Sequence, residues 1–307
     1  MPGDVGGHVN DAFAACTGVP QGIPVVHTAN DKAAEALGSG LRDDNSGLVS
    51  LGTYITGMVT GREFVAEAQT YFTNFACEPY RYLFESAGIR RGMWTASWLR
   101  NLLGAEITNA AAKAGVTSEE HLNALAAAVP PGSDGLLCVL DWLAPPTQLY
   151  KKGIFIGFDE HHGYPHMYRS ILEGIAFTMK RNMAAMQAER NTQLETLILS
   201  GGGSNSDLFA QIFADVFGIP VVRNVVRNAS GLGAAICVAV ACDVYSSFDE
   251  ASKHMVRRED RFEPNPENLD LYAELGAVSA EIPARTDAIL ERTHSILLAH
   301  KGVVSYA

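Results

Sequence analysis

The clearest hydrophobic pattern lies in the second half of the chain. Between residues 165 and 186 the apolar side chains recur mostly at four-residue steps, which predicts a long amphipathic helix. An apolar run at 196–200 predicts a strand, and a Gly-rich turn and a further helix follow it. A second strand at 220–223 and a helix of small residues at 231–241 complete the unit. This order predicts an α/β layer with some parallel pairing.

The first half of the chain predicts fewer elements. A β-branched run at 24–28 predicts a buried strand, and a short alanine-rich helix follows Asp31. Two further runs rich in β-formers, at 47–51 and 53–59, are joined around Gly52 and predict a hairpin.

The middle of the chain is less regular. The one helix predicted there covers residues 117–128, and we interpret the whole stretch 61–164 as an inserted, mostly helical cap on the sheet. The segment 268–300 is predicted to be mostly helical, with a break or kink at Pro283.

Composition and charge narrow the classes of partner. The net charge is -11 and the 23 basic residues are scattered along the sequence, which argues against a nucleic-acid partner. No long apolar run predicts a membrane span, and the N-terminus does not have the pattern of a secretory signal. The five cysteines are odd in number and form no C-x-x-C pair, so we expect neither a disulfide framework nor a zinc site. A cytoplasmic protein is expected.

The Gly-rich turn is the strongest local signal for a ligand. A strand that runs into Gly201, Gly202 and Gly203 and then into a helix capped by Ser204 or Ser206 leaves backbone amides free at a helix N-terminus. A tight turn that binds nothing explains the same spacing, and the residues alone leave both interpretations open. The sequence matches neither the Walker A nor the dinucleotide-binding glycine pattern.

Three other features are weaker on their own. Gly52 and Thr53 at the hairpin tip could offer donors to a phosphate, although an ordinary β-turn is the more frequent case. Asp31 could act as a base, although the residues alone favour it as the N-cap of the following helix. The histidines at 161, 162 and 166 match no standard metal motif, so we interpret 159–166 as a polar loop and predict no metal site.

Taken in order, four stretches resemble the C-terminal domain of the FGGY carbohydrate kinases, which have an actin-like ATPase, ribonuclease H-like fold. Their ordered occurrence is far more specific than any one motif. The stretches are residues 17–26 leading to Asn30-Asp31, residues 50–53 (SLGT), residues 168–177 (YRSILEGIAF), and LILSGGGSNSDLFAQIFADVFGIPVV with the 231–235 run after it.

The resemblance implies an ATP-dependent kinase that phosphorylates a sugar or polyol, with Mg²⁺ neutralising the phosphates. It implies Asp31 as the base that takes the proton from the substrate hydroxyl, with Asn30 and Lys32 beside it in contact with the substrate. The residues implied to bind ATP are Gly52, Thr53, Gly201, Gly202, Gly203 and Ser206.

Three departures from the family pattern matter. Lys32 stands where many relatives have Asn, and Asn228 stands where relatives often have an acidic residue. The first phosphate loop, with its D-x-G-T pattern, does not occur in these residues. The resemblance therefore implies that the N-terminal domain is absent and that this chain by itself is weakly active or inactive.

The predicted organisation is one C-terminal FGGY domain over residues 1–307. Its core is predicted at about 17–60 and 165–250, the insertion at 61–164, and C-terminal helices at 251–307. The missing lobe, or a second chain as in a homodimer, is the expected partner. Two alternatives stay open: a non-catalytic nucleotide-binding module or kinase remnant acting as an interaction protein, and an actin-like or chaperone-like ATPase.

Overall fold

The structure, a computed structural model, describes residues 1–301. It combines one large sheet, two small hairpin-like sheets and helices on both faces. The strands are β1 (Val5–His8), β2 (Pro24–Val26), β3 (Ser46–Leu51), β4 (Ile55–Gly61), β5 (Tyr71–Phe75), β6 (Tyr82–Ser86), β7 (Leu137–Val139), β8 (Ile154–Ile156), β9 (Thr196–Ser200), β10 (Val221–Asn224) and β11 (Arg258–Phe262). The helices are α1 (Asp11–Thr17), α2 (Asp31–Gly38), α3 (Gly92–Leu103), α4 (Ala105–Ala114), α5 (Ser118–Ala127), α6 (Tyr164–Arg190), α7 (Asp207–Phe217), α8 (Ala229–Ala241), α9 (Phe248–Met255) and α10 (Pro266–Lys301).

The large sheet has seven strands in the order β11-β10-β9-β3-β4-β6-β5. The three central pairings differ: β3 and β9 are parallel, β9 and β10 are parallel, and β3 and β4 are antiparallel. Parallel strands require crossover connections, and helices such as α7 between β9 and β10 supply them. The predicted α/β class is confirmed.

Alternation along the central strands divides the core into two layers. Val49 and Leu199 face a large apolar cluster with α6, α7 and α10, whereas Leu48 and Ile198 face a smaller cluster with α2, α8 and α9. Because neighbouring residues of a strand point to opposite faces, a strand covered on both sides is apolar throughout. This explains the unbroken apolar run Leu197-Ile198-Leu199 in β9, which a sheet covered on one side would not need.

Several predicted elements are confirmed, with their capping devices. The long amphipathic helix is α6, and its methionine and isoleucine stripe is fully buried from Ile171 to Met186, whereas Met167 is partly buried. The helix after the glycines is α7: Ser206 Oγ accepts the N–H of Phe209, and Gly218 closes the other end in the left-handed conformation at φ 71°. The predicted helix in the middle of the chain is α5, which begins at a capping box formed by Thr117 and Glu120.

Two predictions for the first half of the chain differ from the structure. The strand predicted at 24–28 is only Pro24–Val26; it pairs with β1 outside the main sheet, and Val25 is exposed, so it is not a buried strand. The stretch 61–164 begins with β5 and β6, which extend the main sheet, and its helices begin only at Gly92. Strand pairing is non-local, so short runs such as β5 and β6 cannot be assigned to the sheet from the sequence until their partner strand is known.

The C-terminal helix α10 continues through Pro283 and does not end there. Residues 302–307 of the predicted C-terminal segment lie outside the described residues. The division into core, insertion and C-terminal helices stays a prediction. None of the helices in residues 1–301 is long and apolar enough to cross a membrane.

Two charged residues of the 168–177 stretch, Arg169 and Glu173, have a structural role. Arg169 Nε donates to Glu173 Oε1 at 2.8 Å, and both side chains are almost fully buried. Glu173 also accepts the N–H of Gly132, the hydroxyl of Ser133 and, at 2.9 Å, the hydroxyl of Tyr272. A buried ion pair is stable only when further hydrogen bonds satisfy it. This network therefore fastens the segment before β7 and helix α10 to α6.

Candidate functional site

Helix α2 presents Asp31 at its first turn. Its N-cap is Asn30, whose side-chain oxygen accepts the N–H of Ala33 at 2.8 Å. The preference for Asp31 as the cap is therefore wrong by one residue. Asp31 is exposed, and its Oδ1 accepts the N–H of Lys32 at 2.9 Å. A carboxylate at this position is also favoured by the positive end of the helix dipole.

A close contact between helices α2 and α8 holds α2 in place. A Cβ atom added to Gly233 would lie 1.9 Å from Ala34 O, and one added to Gly38 would lie 1.9 Å from Ala229 O. Only glycine allows the backbones of α2 and α8 to approach so closely. The Gly-Leu-Gly-Ala-Ala run therefore positions the helix that carries Asp31.

A buried polar cluster joins α2 to the ends of two central strands. Lys32 Nζ donates to Glu35 Oε2 at 2.9 Å and to Ser50 Oγ at 2.6 Å. Ser50 Oγ donates to Glu35 Oε2 at 2.9 Å, and Ser200 Oγ donates to Glu35 Oε1. Glu35 was not predicted. The sequence signal that could have found it is a glutamate on the otherwise apolar, alanine-rich face of α2, three residues after a lysine.

The turn between β3 and β4 is fixed from the side by helix α3. The N–H of Gly92 donates to Thr53 O at 2.8 Å, and the N–H of Met93 donates to Gly52 O at 3.3 Å. The first amides of α3 are thus satisfied by this turn, since the helix has no side-chain cap. The turn cannot move without disturbing α3.

The three consecutive glycines differ in how closely other atoms surround their Cβ positions. Gly201 has φ 79°, and a Cβ there would lie 2.9 Å from Leu51 O. A Cβ on Gly203 would lie 2.8 Å from Leu51 Cβ and 3.0 Å from Met93 Sδ. Around Gly202 no atom of the described residues lies within 4 Å of such a Cβ. Two of the glycines are therefore required for close packing, and Gly202 is open.

Gly52, Thr53, Gly202 and Gly203 line one cavity of about 340 Å³. A second cavity of about 310 Å³ shares Gly202 and Gly203 with the first and includes Ser206. The structure therefore brings these five predicted residues together, although they come from opposite halves of the sequence. The residues that line both cavities and were not predicted are Met93, Glu119 and Tyr168.

Ser206 is committed within the protein. Besides capping α7, its hydroxyl donates to Asn123 Oδ1 of helix α5 at 2.9 Å. Asn123 lines the second cavity as well and was not predicted. The middle segment of the chain thus contributes one wall of the cavities, which a reading of local motifs could not show.

Other predicted residues lie elsewhere. Asp31, Lys32 and Gly201 line neither of these two cavities. Asn30 lines a separate, largely apolar cavity of about 570 Å³ beside the connection between β5 and β6. The link between Asp31 and the first cavity is the contact of Lys32 with Ser50, two residues before Gly52.

A second carboxylate lies in the electrostatic neighbourhood of Asp31. Glu85 of β6 is half-buried and accepts a hydrogen bond from Asn74 Nδ2. Burial raises the pKa of Glu85, and the charges of Asp31 and Glu35 raise it further, whereas the Asn74 hydrogen bond and the charge of Lys32 lower it. Sequence reasoning missed Glu85, because the strand that carries it was placed in a helical cap.

The histidines of the 159–166 loop form hydrogen bonds with nearby residues of the protein. His162 Nδ1 accepts the N–H of Asp159 at 2.9 Å, and His166 Nε2 lies 3.2 Å from Asp134 Oδ2. Within residues 1–301, no three histidine, cysteine or acidic side chains form a group that could hold a metal ion.

This chain is similar to known proteins over nearly its whole length. Residues 47–242 match the C-terminal domain of the FGGY family of carbohydrate kinases. The uncharacterized sugar kinase YgcE of Escherichia coli (strain K12) is 43% identical over 99% of this chain and 62% of its own length. The xylulose kinase of Lactococcus lactis is 30% identical over 84% of this chain and 50% of its own length.

A solved structure of xylulose kinase from Rhodospirillum rubrum superposes with a TM-score of 0.78 at 26% identity, covering 94% of this chain and 57% of that one. The predicted actin-like ATPase fold is confirmed through these FGGY relatives. The chain spans between half and about 60% of the length of the relatives it matches. It belongs to the FGGY family of carbohydrate kinases, whose C-terminal domain it carries.

Proposed function

We propose that this chain is the nucleotide-binding half of an ATP-dependent carbohydrate kinase, which transfers the γ-phosphoryl group of ATP to a hydroxyl of a sugar or polyol. The observation that carries the proposal is the position of Asp31. Its carboxylate is exposed and does not cap the helix, because Asn30 is the N-cap. Through Lys32 and Ser50, its helix is tied to the strand that ends in the Gly52-Thr53 turn.

The two adjoining cavities are the proposed ATP site. Gly52 and Thr53 lie at the proposed position of the γ-phosphate, and Gly202, Gly203 and Ser206 at that of the adenosine and the remaining phosphates. Open backbone at Gly202 permits close approach of a ligand. Gly201 supports the site by packing against the backbone of Leu51, which leaves no room for a Cβ atom.

In the proposed reaction, Asp31 accepts the proton of the substrate hydroxyl. The oxygen of that hydroxyl forms a bond to the γ-phosphorus at the same time. The bond from that phosphorus to the bridging oxygen of ADP breaks in the same step. Most of the catalysis is positioning and charge stabilisation, because little covalent chemistry is left to the protein. Asn30 and Lys32 contribute mainly by fixing Asp31, since both side chains are engaged in hydrogen bonds within the protein.

Mg²⁺ fits the described residues as an ion held mostly by the nucleotide. Proteins bind it largely through substrate phosphates with few side chains, and residues 1–301 contain no group of three histidine, cysteine or acidic side chains that could hold it alone. When bound, the ion neutralises charge on the phosphates.

The sugar-binding residues are proposed to come mainly from the N-terminal lobe that FGGY relatives carry, either in the same polypeptide or in a second chain. The first thirty residues support this proposal. Helix α1 buries none of its residues within the described chain, and Phe13, Ile23 and Val25 are exposed. An apolar surface of this kind marks a contact with another protein surface. A cytoplasmic kinase is proposed.

Replacement of Asp31 by Asn tests the proposal. We expect the substitution to lower the rate of phosphoryl transfer by about 100- to 10,000-fold. ATP affinity, measured by calorimetry, should change little because Asp31 lies outside the two cavities. Turnover would be measured on the chain combined with an FGGY N-terminal lobe, using a panel of sugars and polyols.

Asp11 provides a matched control. Like Asp31, it directly follows an asparagine N-cap and occupies the first turn of a helix. At a saturating concentration of the N-terminal lobe, Asp11→Asn should leave turnover unchanged, because α1 is proposed to contact that lobe and not the substrate. If the assembled protein bound ATP but Asp31→Asn and Asp11→Asn turned over equally, a non-catalytic nucleotide-binding module would explain the chain better. ATP hydrolysis without any sugar would instead favour an actin-like ATPase.

A further inference from the structure

A basic cleft lies at the end of α2 opposite to Asp31. It has a volume of about 540 Å³ and is formed by the segment after α2, the connection between β5 and β6, and helix α9 with the residues after it. Its cationic side chains are Arg42, Arg62, Arg81, Lys253 and Arg258, and its carboxylates are Asp43, Glu78 and Asp249.

The charge of this cleft is opposite to that of the whole protein. Five cationic side chains against three carboxylates leave an excess of two positive charges, in a chain whose net charge is -11. The basic residues come from positions between 42 and 258, so they are scattered in sequence and gathered only by the fold. Such a local reversal of sign concentrates anions at the cleft.

The carboxylates in the cleft do not compensate its cations. Glu78 is shared by Arg42 at 2.8 Å and Arg81 at 3.4 Å, and Asp249 pairs mainly with Lys253 at 2.7 Å. Arg62 forms no ion pair with any of residues 1–301. Within the same residues, Arg42 Nη1 is buried without a hydrogen-bond partner, whereas Arg81 Nε lacks a hydrogen bond but faces Glu78 Oε2 at 3.4 Å. Buried donors left in this state are unfavourable, and an anion nearby relieves the cost.

The cleft is also rigidly built. Arg258 Nη1 donates to Ser39 O at 3.2 Å and to Asn224 Oδ1 at 2.8 Å, which fixes its guanidinium group at one wall. Burial lowers the pKa of Arg258, and the charge of Asp43 offsets part of this effect. Arg42 and Arg81 are only 16% and 14% exposed, so their positions are held by packing. Preorganised guanidinium groups bind phosphate oxygens with little loss of entropy.

We propose that this cleft is a binding site for a small phosphorylated metabolite, a phosphate monoester, distinct from the ATP site. A phosphate monoester carries a charge of about −1.5 to −2 at neutral pH, which matches the excess charge of the cleft. Its oxygens suit a group of guanidinium donors. The cleft volume is in the usual range for a small-molecule site. The eight residues of α2 separate the cleft from Asp31 by about 12 Å of helix.

Calorimetric titration of glucose 6-phosphate into the full chain tests the proposal. The titration is made in the presence of a saturating non-hydrolysable ATP analogue, so that the nucleotide cavities are occupied. We expect saturable binding that weakens as salt is added, competition by inorganic phosphate, and no binding of glucose. The double variant Arg62→Gln/Lys253→Gln should bind about ten- to a hundredfold more weakly, because it removes two of the charged donors.

Both substituted residues are exposed, so the double variant should fold, and its melting temperature provides the check. The matched control is Lys113→Gln/Arg285→Gln, which removes the same charge from exposed helix positions outside the cleft. Equal affinity of the two double variants for glucose 6-phosphate would overturn the proposal. So would loss of binding in the presence of the ATP analogue, equal binding of glucose, or no binding at millimolar ligand.

Discussion

The ammonium group of Lys32 donates a hydrogen bond of 2.6 Å to Ser50 Oγ. This contact joins the first turn of α2, which carries Asp31, to the strand that ends at the Gly52-Thr53 turn. Glu35 extends the contact to Ser200, the last residue of β9 before the glycines. One carboxylate therefore couples the three elements whose ends form the candidate site.

Replacing Lys32 by Met should destabilise the protein by about 1–3 kcal/mol, because Glu35 is only 10% exposed and would lose its cation. The loss stays below that of a fully buried pair because Lys32 is 22% exposed and water can reach it. Urea unfolding measures the change. The control is Arg285→Met, which removes an exposed pair with Glu281 and should cost less than about 0.5 kcal/mol. Equal losses for the two variants would show that the Lys32–Glu35 pair contributes no more than a surface pair.

Local chemistry accounts for the part of the site that the sequence predicts. Gly52, the glycine triplet and Ser206 follow from strand, turn and cap signals within a few residues of one another. The residues alone favoured Asp31 as the N-cap in place of Asn30, because helix boundaries predicted from sequence are uncertain by a residue or two.

The missed residues have a common cause. Asn123 and Glu85 reach the site from the stretch 61–164, and no local period shows which strand or helix they face. Glu85 lies on a strand whose partner is β4, and pairing of this kind is set by the tertiary structure rather than by propensity.

Gly233→Ala should destabilise the protein by about 3 kcal/mol or more, since the added methyl group meets the backbone carbonyl of Ala34. The two helices would have to separate, which would also displace Asp31. Gly231 is the matched control on the same helix, because no atom of the described residues lies within 4 Å of its Cβ position. Gly231→Ala should be neutral or stabilising by up to about 1 kcal/mol. Thermal and urea unfolding of the two variants would decide whether close backbone packing explains the glycine.

Glu85→Gln should change the pH dependence of stability. Because the pKa of Glu85 is raised in the folded state, chiefly by burial, the folded protein binds a proton more tightly than the unfolded chain. The stability from this group is present below the ordinary carboxyl pKa and is lost as pH rises through the raised value. The variant should therefore gain stability relative to the parent as pH increases across that window.

Glu189 gives the opposite sign and serves as the control for that measurement. The Thr70 hydroxyl, followed by the amides of Gln69 and Thr70, lowers the pKa of Glu189. Its contribution is present above the ordinary carboxyl pKa and is lost as pH falls. Glu189→Gln should therefore lose stability relative to the parent as pH increases. Urea unfolding at a series of pH values would contradict the assignment if both variants shifted in the same direction.

Gly202 separates a role in binding from a role in folding. A methyl group there meets no atom of residues 1–301 within 4 Å, and Gly202 lines both cavities. Gly202→Ala should keep the free energy of unfolding within about 1 kcal/mol of the parent. It should weaken ATP binding by about tenfold, because the backbone can no longer approach the nucleotide closely.

Gly201 and Gly7 complete this comparison. Gly201→Ala should destabilise the protein by about 1–3 kcal/mol, because φ is 79° and the methyl group would lie 2.9 Å from Leu51 O. Gly7, in β1, has open space around its Cβ position and lies outside both cavities, so Gly7→Ala should leave ATP affinity unchanged. ATP affinity from calorimetry and stability from urea unfolding are compared for the three variants. If Gly202→Ala bound ATP as tightly as Gly7→Ala, the nucleotide would have to lie away from these cavities, because a methyl group on their shared wall would then obstruct nothing.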